Sequence, residues 1–142
     1  ALLALTLAAF PAAALDLRVV GGESMGIPFW LSGDLGLVIG TRSTNEFRGM
    51  KVSAEIGIGG TRGFLGYYTS TQKHFVRTAL SVGPAIMRTF GSPLLADDWR
   101  TFLGVEAQLS VTAFMPITLR FGVYSWVEEF HPQFTAGFGI GL

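Results

Sequence analysis

Polar and apolar side chains take turns along most of this chain. From Met50 to Ile58 every even-numbered residue is apolar (Met50, Val52, Ala54, Ile56, Ile58), and the odd positions between them are Lys51, Ser53, Glu55 and Gly57. Period-two alternation marks a strand whose two faces meet unlike surroundings, because successive side chains leave opposite sides of the pleat. The pattern recurs and predicts eight strands, near residues 15–20, 29–39, 50–59, 64–70, 75–86, 102–113, 117–126 and 134–142. No helix-period segment competes with them. The links at 21–26, 41–49, 59–63, 70–73, 91–98, 115–116 and 128–133 are rich in Gly, Pro, Asn, Asp and Ser, the residues of turns. Pro84, which removes a ladder donor, predicts a bulge or a strand end.

Sorting each strand by parity gives one set without a charge. It runs through Leu15, Leu17 and Val19; Phe29, Leu31, Leu35, Leu37 and Ile39; the Met50 set with Val52, Ile56 and Ile58; Leu65 and Tyr67; and Val76, Leu80, Val82 and Ile86. It continues through Leu103, Val105, Ala107, Leu109, Val111 and Ala113; Ile117, Leu119, Phe121 and Val123; and Phe134, Ala136, Phe138, Ile140 and Leu142. The opposite set holds four acids and four bases: Asp16, Asp34, Glu55 and Glu106 against Arg18, Lys51, Arg77 and Arg120. Serines and threonines, many glycines and the bulky Trp30, Tyr68, Phe75, Phe102, Tyr124 and Trp126 share that parity.

Glycine weakens a strand that faces water, so small residues, large rings and balanced charge together suit a narrow, filled interior better than a wet surface. The expectation is a barrel turned inside out relative to a soluble one. Lys51 and Glu55 point into the lumen, and Val52, Ile56, Ile58, Leu80, Val82, Val105, Leu109, Val111, Leu119, Phe121, Phe138 and Ile140 point at lipid. A charge on the lipid face near mid-bilayer costs about 2–4 kcal/mol, which accounts for the absence of charge from the apolar set. Lumen charges must pair, and equal numbers of acids and bases permit it. The alternative is a soluble, calycin-like barrel that carries a lipophile, with the apolar set inside.

Composition narrows the choice. Of 142 residues, 49% are hydrophobic and 14% charged, and the mean hydropathy is +0.46. A soluble domain surface carries about 25–35% charged residues. No window offers the about 18 consecutive apolar residues of a spanning helix, so short strands carry the apolar character. Ten basic and ten acidic residues cancel to zero formal charge, which leaves no basic stripe for nucleic acid. Without cysteine there is no disulfide and no thiolate metal site. Residues 1–14, ALLALTLAAFPAAA, read as the apolar core and A-x-A cleavage site of a signal peptide, with residues 15–142 as one mature barrel domain. A buried hydrophobic helix is the other reading of that run, and Pro11 with the alanine triplet suits cleavage better. Eight tilted spanning strands of about 9–11 residues fit the length after residue 14, whereas ten would leave links of about three residues. An eight-stranded barrel is filled by its own side chains and has no wide pore.

The last strand, FTAGFGIGL, sets Phe134, Ala136, Phe138, Ile140 and Leu142 at alternate positions. It resembles the C-terminal strand of Gram-negative outer-membrane barrels, which usually ends in phenylalanine where this sequence has Leu142. Taken from Leu15, the whole chain resembles the small eight-stranded outer-membrane β-barrels that include the transmembrane domain of outer membrane protein A. The resemblance is architectural, and no functional motif of that group matches residue by residue. It implies a closed antiparallel up-and-down barrel and recognition of the last strand by the barrel assembly machinery. It further implies both termini in the periplasm, outward links near 21–28, 59–63, 88–101 and 127–133, and periplasmic links near 40–49, 70–74 and 114–116. One feature departs from the pattern: the group has short periplasmic turns, and the link 41–49 is long.

Eight-stranded outer-membrane barrels include anchors and lipid-modifying acyltransferases or deacylases, whose catalytic groups would lie near the rims. His74, beside Ser70 and Thr71, and His131, with Glu128 and Glu129, are the weak catalytic candidates. A base needs a nucleophile within hydrogen-bond reach and a third group to orient it. The topology puts the two histidines at opposite rims, and neither shows the H-x-S spacing associated with outer-membrane deacylases. Asp97 and Asp98 with two distant histidines make no closed metal set, although a loose calcium loop there remains an alternative. The glycines of GGTRGF lack a following helix and read as a hairpin turn rather than a phosphate loop. Trp30, Tyr67, Trp99, Phe114, Tyr124, Trp126 and Phe130 fall near predicted rims, as rings at a lipid–water boundary do, while Trp30 and Trp126 on lumen parity are alternative plugs. The expected function is a non-enzymatic outer-membrane anchor, structural element or surface-interaction protein. Its expected partners are membrane lipids, the assembly machinery and an envelope or surface protein, with no cofactor and no metal.

Overall fold

The computed structural model describes residues 15–94, 96 and 98–141. The leader read over residues 1–14, and Asp97 and Leu142, lie outside the described residues. Eight strands follow one another: β1 (Leu15–Ile27), β2 (Leu31–Arg42), β3 (Glu46–Gly57), β4 (Gly60–Lys73), β5 (Val76–Thr89), β6 (Thr101–Thr112), β7 (Pro116–Trp126) and β8 (Pro132–Gly141). Each pairs antiparallel with the next, and β1 pairs with β8 to close the ring. No described residue is helical.

Following the paired residues once around, Leu15, Thr41, Arg48, Thr69, Leu80, Leu109, Leu119 and Phe138 lead back to β1 at Met25, ten residues beyond the start. This stagger tilts the strands and sets a narrow bore, which side chains fill. The links 28–30, 58–59, 90–100 and 127–131 share one end, and 43–45, 74–75 and 113–115 share the other with Leu15.

Seven of the strands are longer than the alternation predicts and β6 keeps the predicted length of 12, so that the strands run from 10 residues in β8 to 14 in β4. Glycines hide the alternation from the sequence without ending the strand. GGESMG, read as a link, is the second half of β1, with Ser24 inward and Glu23 and Met25 outward. The long link 41–49 shrinks to residues 43–45, because Thr41 and Arg42 still pair with Arg48 and Phe47. The misfit of a long link at the end holding Leu15 therefore disappears. Pro84 makes neither a bulge nor a strand end. The register of β5 on β4 is the same on both sides of it, and the ladder lapses only between Tyr67↔Val82 and Phe64↔Ala85, where proline has no N–H to donate. Beside it Gly83 is required by closeness: a Cβ there would lie 2.2 Å from the Leu65 carbonyl oxygen.

Inside, two apolar clusters occupy opposite ends of the bore. Phe29, Phe64, Ala85, Met87, Phe102 and Tyr124 pack together toward the end of link 28–30. Val38, Phe47, Tyr68 and Ala79 pack toward the other. Phe29, assigned to the outward set, is buried; it belongs to the turn between β1 and β2, where strand parity no longer applies, and it folds over the bore while Trp30 turns out.

Candidate functional site

Between the two apolar clusters lies a ring of ions and hydroxyls contributed by the inward positions of β1 through β7. Inward parity alone places Ser24 on β1, Ser32 and Asp34 on β2, Lys51 and Glu55 on β3, Arg62 on β4, Ser81 on β5, Glu106 and Gln108 on β6, and Arg120 and Tyr124 on β7. The bore is narrow enough that residues distant in sequence meet across it.

Arg62 is the centre. Its Nη2 lies 2.8 Å from Glu55 Oε2, and its Nη1 donates to both Glu106 oxygens at 2.6 Å. Arg120 Nη1 donates to the same Glu55 oxygen at 2.8 Å. The other Glu55 oxygen accepts from Ser24 at 3.0 Å and from Ser32. Glu106 also accepts from Tyr124 Oη at 2.7 Å and Gln108 Nε2 at 2.6 Å, while Gln108 Oε1 accepts from Lys51 Nζ at 2.6 Å. Glu55, Arg62 and Glu106 are 3%, 5% and 1% exposed, so little water reaches them. A buried ion must be paired and hydrogen-bonded to avoid a penalty of several kcal/mol, and both carboxylates meet that demand with four donor contacts each.

The lumen charges expected from sequence do not all join this network. Glu55, Glu106, Lys51 and Arg120 do. Asp34 lines an adjoining cavity of about 150 Å³ together with Lys51, Arg62, Gln108 and Arg120. Asp16 and Arg18 face each other at 3.6 Å near the opposite end, with Arg18 over the Phe47 ring at 4.1 Å. Arg77, among the described residues, donates to Gln72 alone, at 3.5 Å. The residue missed is Arg62, read as part of a turn; extending the β4 parity back from Tyr68, Gly66 and Phe64 would have found it. Arg62 Nε, Ser53 Oγ and Thr135 Oγ1 are the buried side-chain atoms left without a partner among the described residues.

Outside, the complementary set covers the wall. Val52, Ile56, Ile58, Leu80, Val82, Val105, Leu109, Val111, Leu119, Phe121, Phe138 and Ile140 are all exposed, from 40% to 65%. The calycin-like alternative needed this set to line the interior, and it does not. Of the rim aromatics, Trp30, Trp99, Phe114 and Phe130 are exposed near strand ends and Tyr67 is exposed within β4. Tyr124 instead is buried against Glu106, and Trp126 packs on the inner cluster with Arg100 3.8 Å above its ring.

His74 lines a hollow with Ser70, Gln72 and Arg77, and among the described residues no hydrogen bond joins either histidine to a nucleophile. His74 sits in the turn 74–75 and His131 in the link 127–131, at opposite ends of the barrel. His74 has φ 53°, a left-handed conformation that histidine tolerates better than most side chains, so turn geometry accounts for its position. Among the described residues no hydrogen bond joins it to Ser70, and no group of three or more His, Asp or Glu could hold a metal ion. The carboxylates with the deepest burial are saturated by donors and are not free to take a proton from a substrate.

Backbone hydrogen bonds knit the links at the end holding residues 28–30. Phe90 N donates to Gly59 O at 3.1 Å and Leu94 N to Pro28 O at 2.9 Å, while Val127 N donates to Thr101 O at the start of β6 at 3.1 Å. The arrangement offers a closed ionic bolt within and a tied rim at one end. No family model, curated protein or solved structure matches the chain.

Proposed function

We propose that this chain is a small outer-membrane β-barrel of a Gram-negative envelope, non-enzymatic and without an open pore, that anchors and presents the links of one rim. The single observation that carries the reading is the inversion of the wall: apolar side chains point outward on all eight strands, and the network of Glu55, Arg62, Glu106 and Arg120 is enclosed. Exposed apolar patches on soluble monomers rarely exceed a few hundred Å². A band running around a whole barrel is a liability in water and a favourable surface in acyl chains. Closure satisfies the backbone groups of each paired strand, as the hydrocarbon region demands.

Orientation follows from link length. The longer links 90–100 and 127–131 would face the exterior and the turns 43–45, 74–75 and 113–115 the periplasm. Presentation suits the outer rim, because its links are tied to one another rather than free. A leader over residues 1–14 and recognition of the last strand by the assembly machinery belong to the same reading.

Membrane fractionation tests it. The protein is expected in detergent-extracted outer membranes and to migrate faster on gels before heating than after. Single labels at Val52 and Leu109 are expected to be quenched by lipid-borne nitroxides. A protein that fractionates with the periplasm without detergent, or labels shielded from lipid, overturns the proposal.

A further inference from the structure

Among the described residues, one charged side chain stands in the outward wall away from both rims. Arg48 is third in β3, Arg88 is next to last in β5 and Lys73 ends β4, whereas Glu23 lies well inside β1. Glu23 shares the outward parity of Val19 and Met25, is exposed, and is paired across with Gly33 on β2 and Ile140 on β8. The outward positions above and below it on its own strand are Met25 and Gly21, and those of β2 on either side of Gly33 are Leu31 and Leu35. No hydrogen bond or ion pair engages its carboxylate among the described residues.

The surface beside it is hollow. Glu23 lines a shallow groove with Leu31, Gly33, Ile56 and Ile58. Packing does not require the glycine: a Cβ on Gly33 would meet nothing closer than the Gly22 carbonyl oxygen at 3.9 Å. The missing side chain leaves a notch that opens directly onto the carboxylate. An acid facing acyl chains is unfavourable, and ionisable groups at membrane depth are rare unless they are partnered or functional.

We propose that Glu23 and this groove receive the Lys or Arg side chain of a membrane-embedded partner protein. The inference rests on the transmembrane reading above. Charge complementarity selects the occupant. A second copy supplies no base at this depth, since the outward bases of the described wall sit at strand ends. The amines of lipid headgroups lie at the boundary, whereas Glu23 has apolar rows on both sides. A basic side chain carried on a spanning segment reaches the carboxylate and loses its own desolvation penalty in doing so.

The test uses the full chain in phosphatidylcholine vesicles, with a synthetic apolar spanning helix that carries one central Lys, and the same helix with Leu in its place. Energy transfer between a dye on link 127–131 and a dye on the helix reports association. The Lys helix is expected to associate at least tenfold more tightly than the Leu helix. Glu23→Leu is expected to abolish that preference and Glu23→Gln to reduce it, with both variants retaining heat-modifiable migration. Equal association of the two helices, or a preference that survives Glu23→Leu, overturns the proposal. A label at Val52 in the same vesicles separates the two readings: lipid quenching there with equal helix association removes the Glu23 site alone, whereas absence of quenching removes both.

Discussion

Arg62 holds two carboxylates apart and together: without its guanidinium, Glu106 keeps Tyr124 and Gln108 but loses the one ion pair it makes among the described residues, at 2.6 Å. Arg62→Met is expected to cost about 3–5 kcal/mol, the usual loss when one partner of a buried pair is removed. Arg120→Met is expected to cost about 1–3 kcal/mol, because Glu55 keeps Arg62 and two serines. Tyr124→Phe removes one hydrogen bond to a buried carboxylate and is expected to cost about 1.5–3 kcal/mol. Urea unfolding of the protein folded into vesicles measures all three, and equal losses for Arg62→Met and Arg120→Met would contradict the central place of Arg62. Glu55 and Glu106 were legible from parity. Arg62 was not, because two glycines before it imitate a hairpin turn; in the structure only residues 58–59 turn, and Gly60, with φ 149°, already pairs with Thr89.

Each strand acts as a divider between two environments, and its parity carries the assignment. A charge placed on the outer parity distinguishes lipid from water. Val52→Arg and Leu109→Arg are each expected to cost about 2–4 kcal/mol in vesicles if acyl chains surround them. On a water-exposed surface the same changes fall within about 0.5 kcal/mol, so small losses would count against the membrane reading. Element existence was clear from alternation, and element ends were not. β1 continues through GGESMG because its partners on β2 and β8 supply the hydrogen bonds that a glycine-rich strand lacks on its own. That continuation is what brings Glu23 into the wall.

At the scale of the whole molecule, closure follows from the ten-residue stagger and from the two apolar plugs that flank the ions. The bore is filled by Phe29, Phe64, Met87, Phe102 and Tyr124 toward one end and by Phe47 and Tyr68 toward the other, the latter two rings 6.0 Å apart and edge to face. In planar bilayers the protein is therefore expected to show no sustained open-channel steps. Steady conductance of the size of a water-filled pore would contradict the closed lumen. His74→Ala and His131→Ala are expected to leave the lipid profile of the host envelope unchanged, since among the described residues no hydrogen bond joins either histidine to a nucleophile.

The amino-acid sequence by itself determined the number of strands and which side chains share a face, because period-two alternation is a local property of each segment and survives without knowledge of its neighbours. It also placed acids and bases together on one face, although the balance expected there fails once Arg62 turns inward as a further base. Only the tertiary structure decided which way each face turns, where the strands end, and which ions meet. Those depend on register: the ring sets Glu55, Arg62, Glu106 and Arg120 within 2.8 Å of their partners from four different strands. Turn-like glycines lie within strands wherever neighbouring strands supply the ladder. Register is fixed by closing the barrel as a whole, and no single segment encodes it.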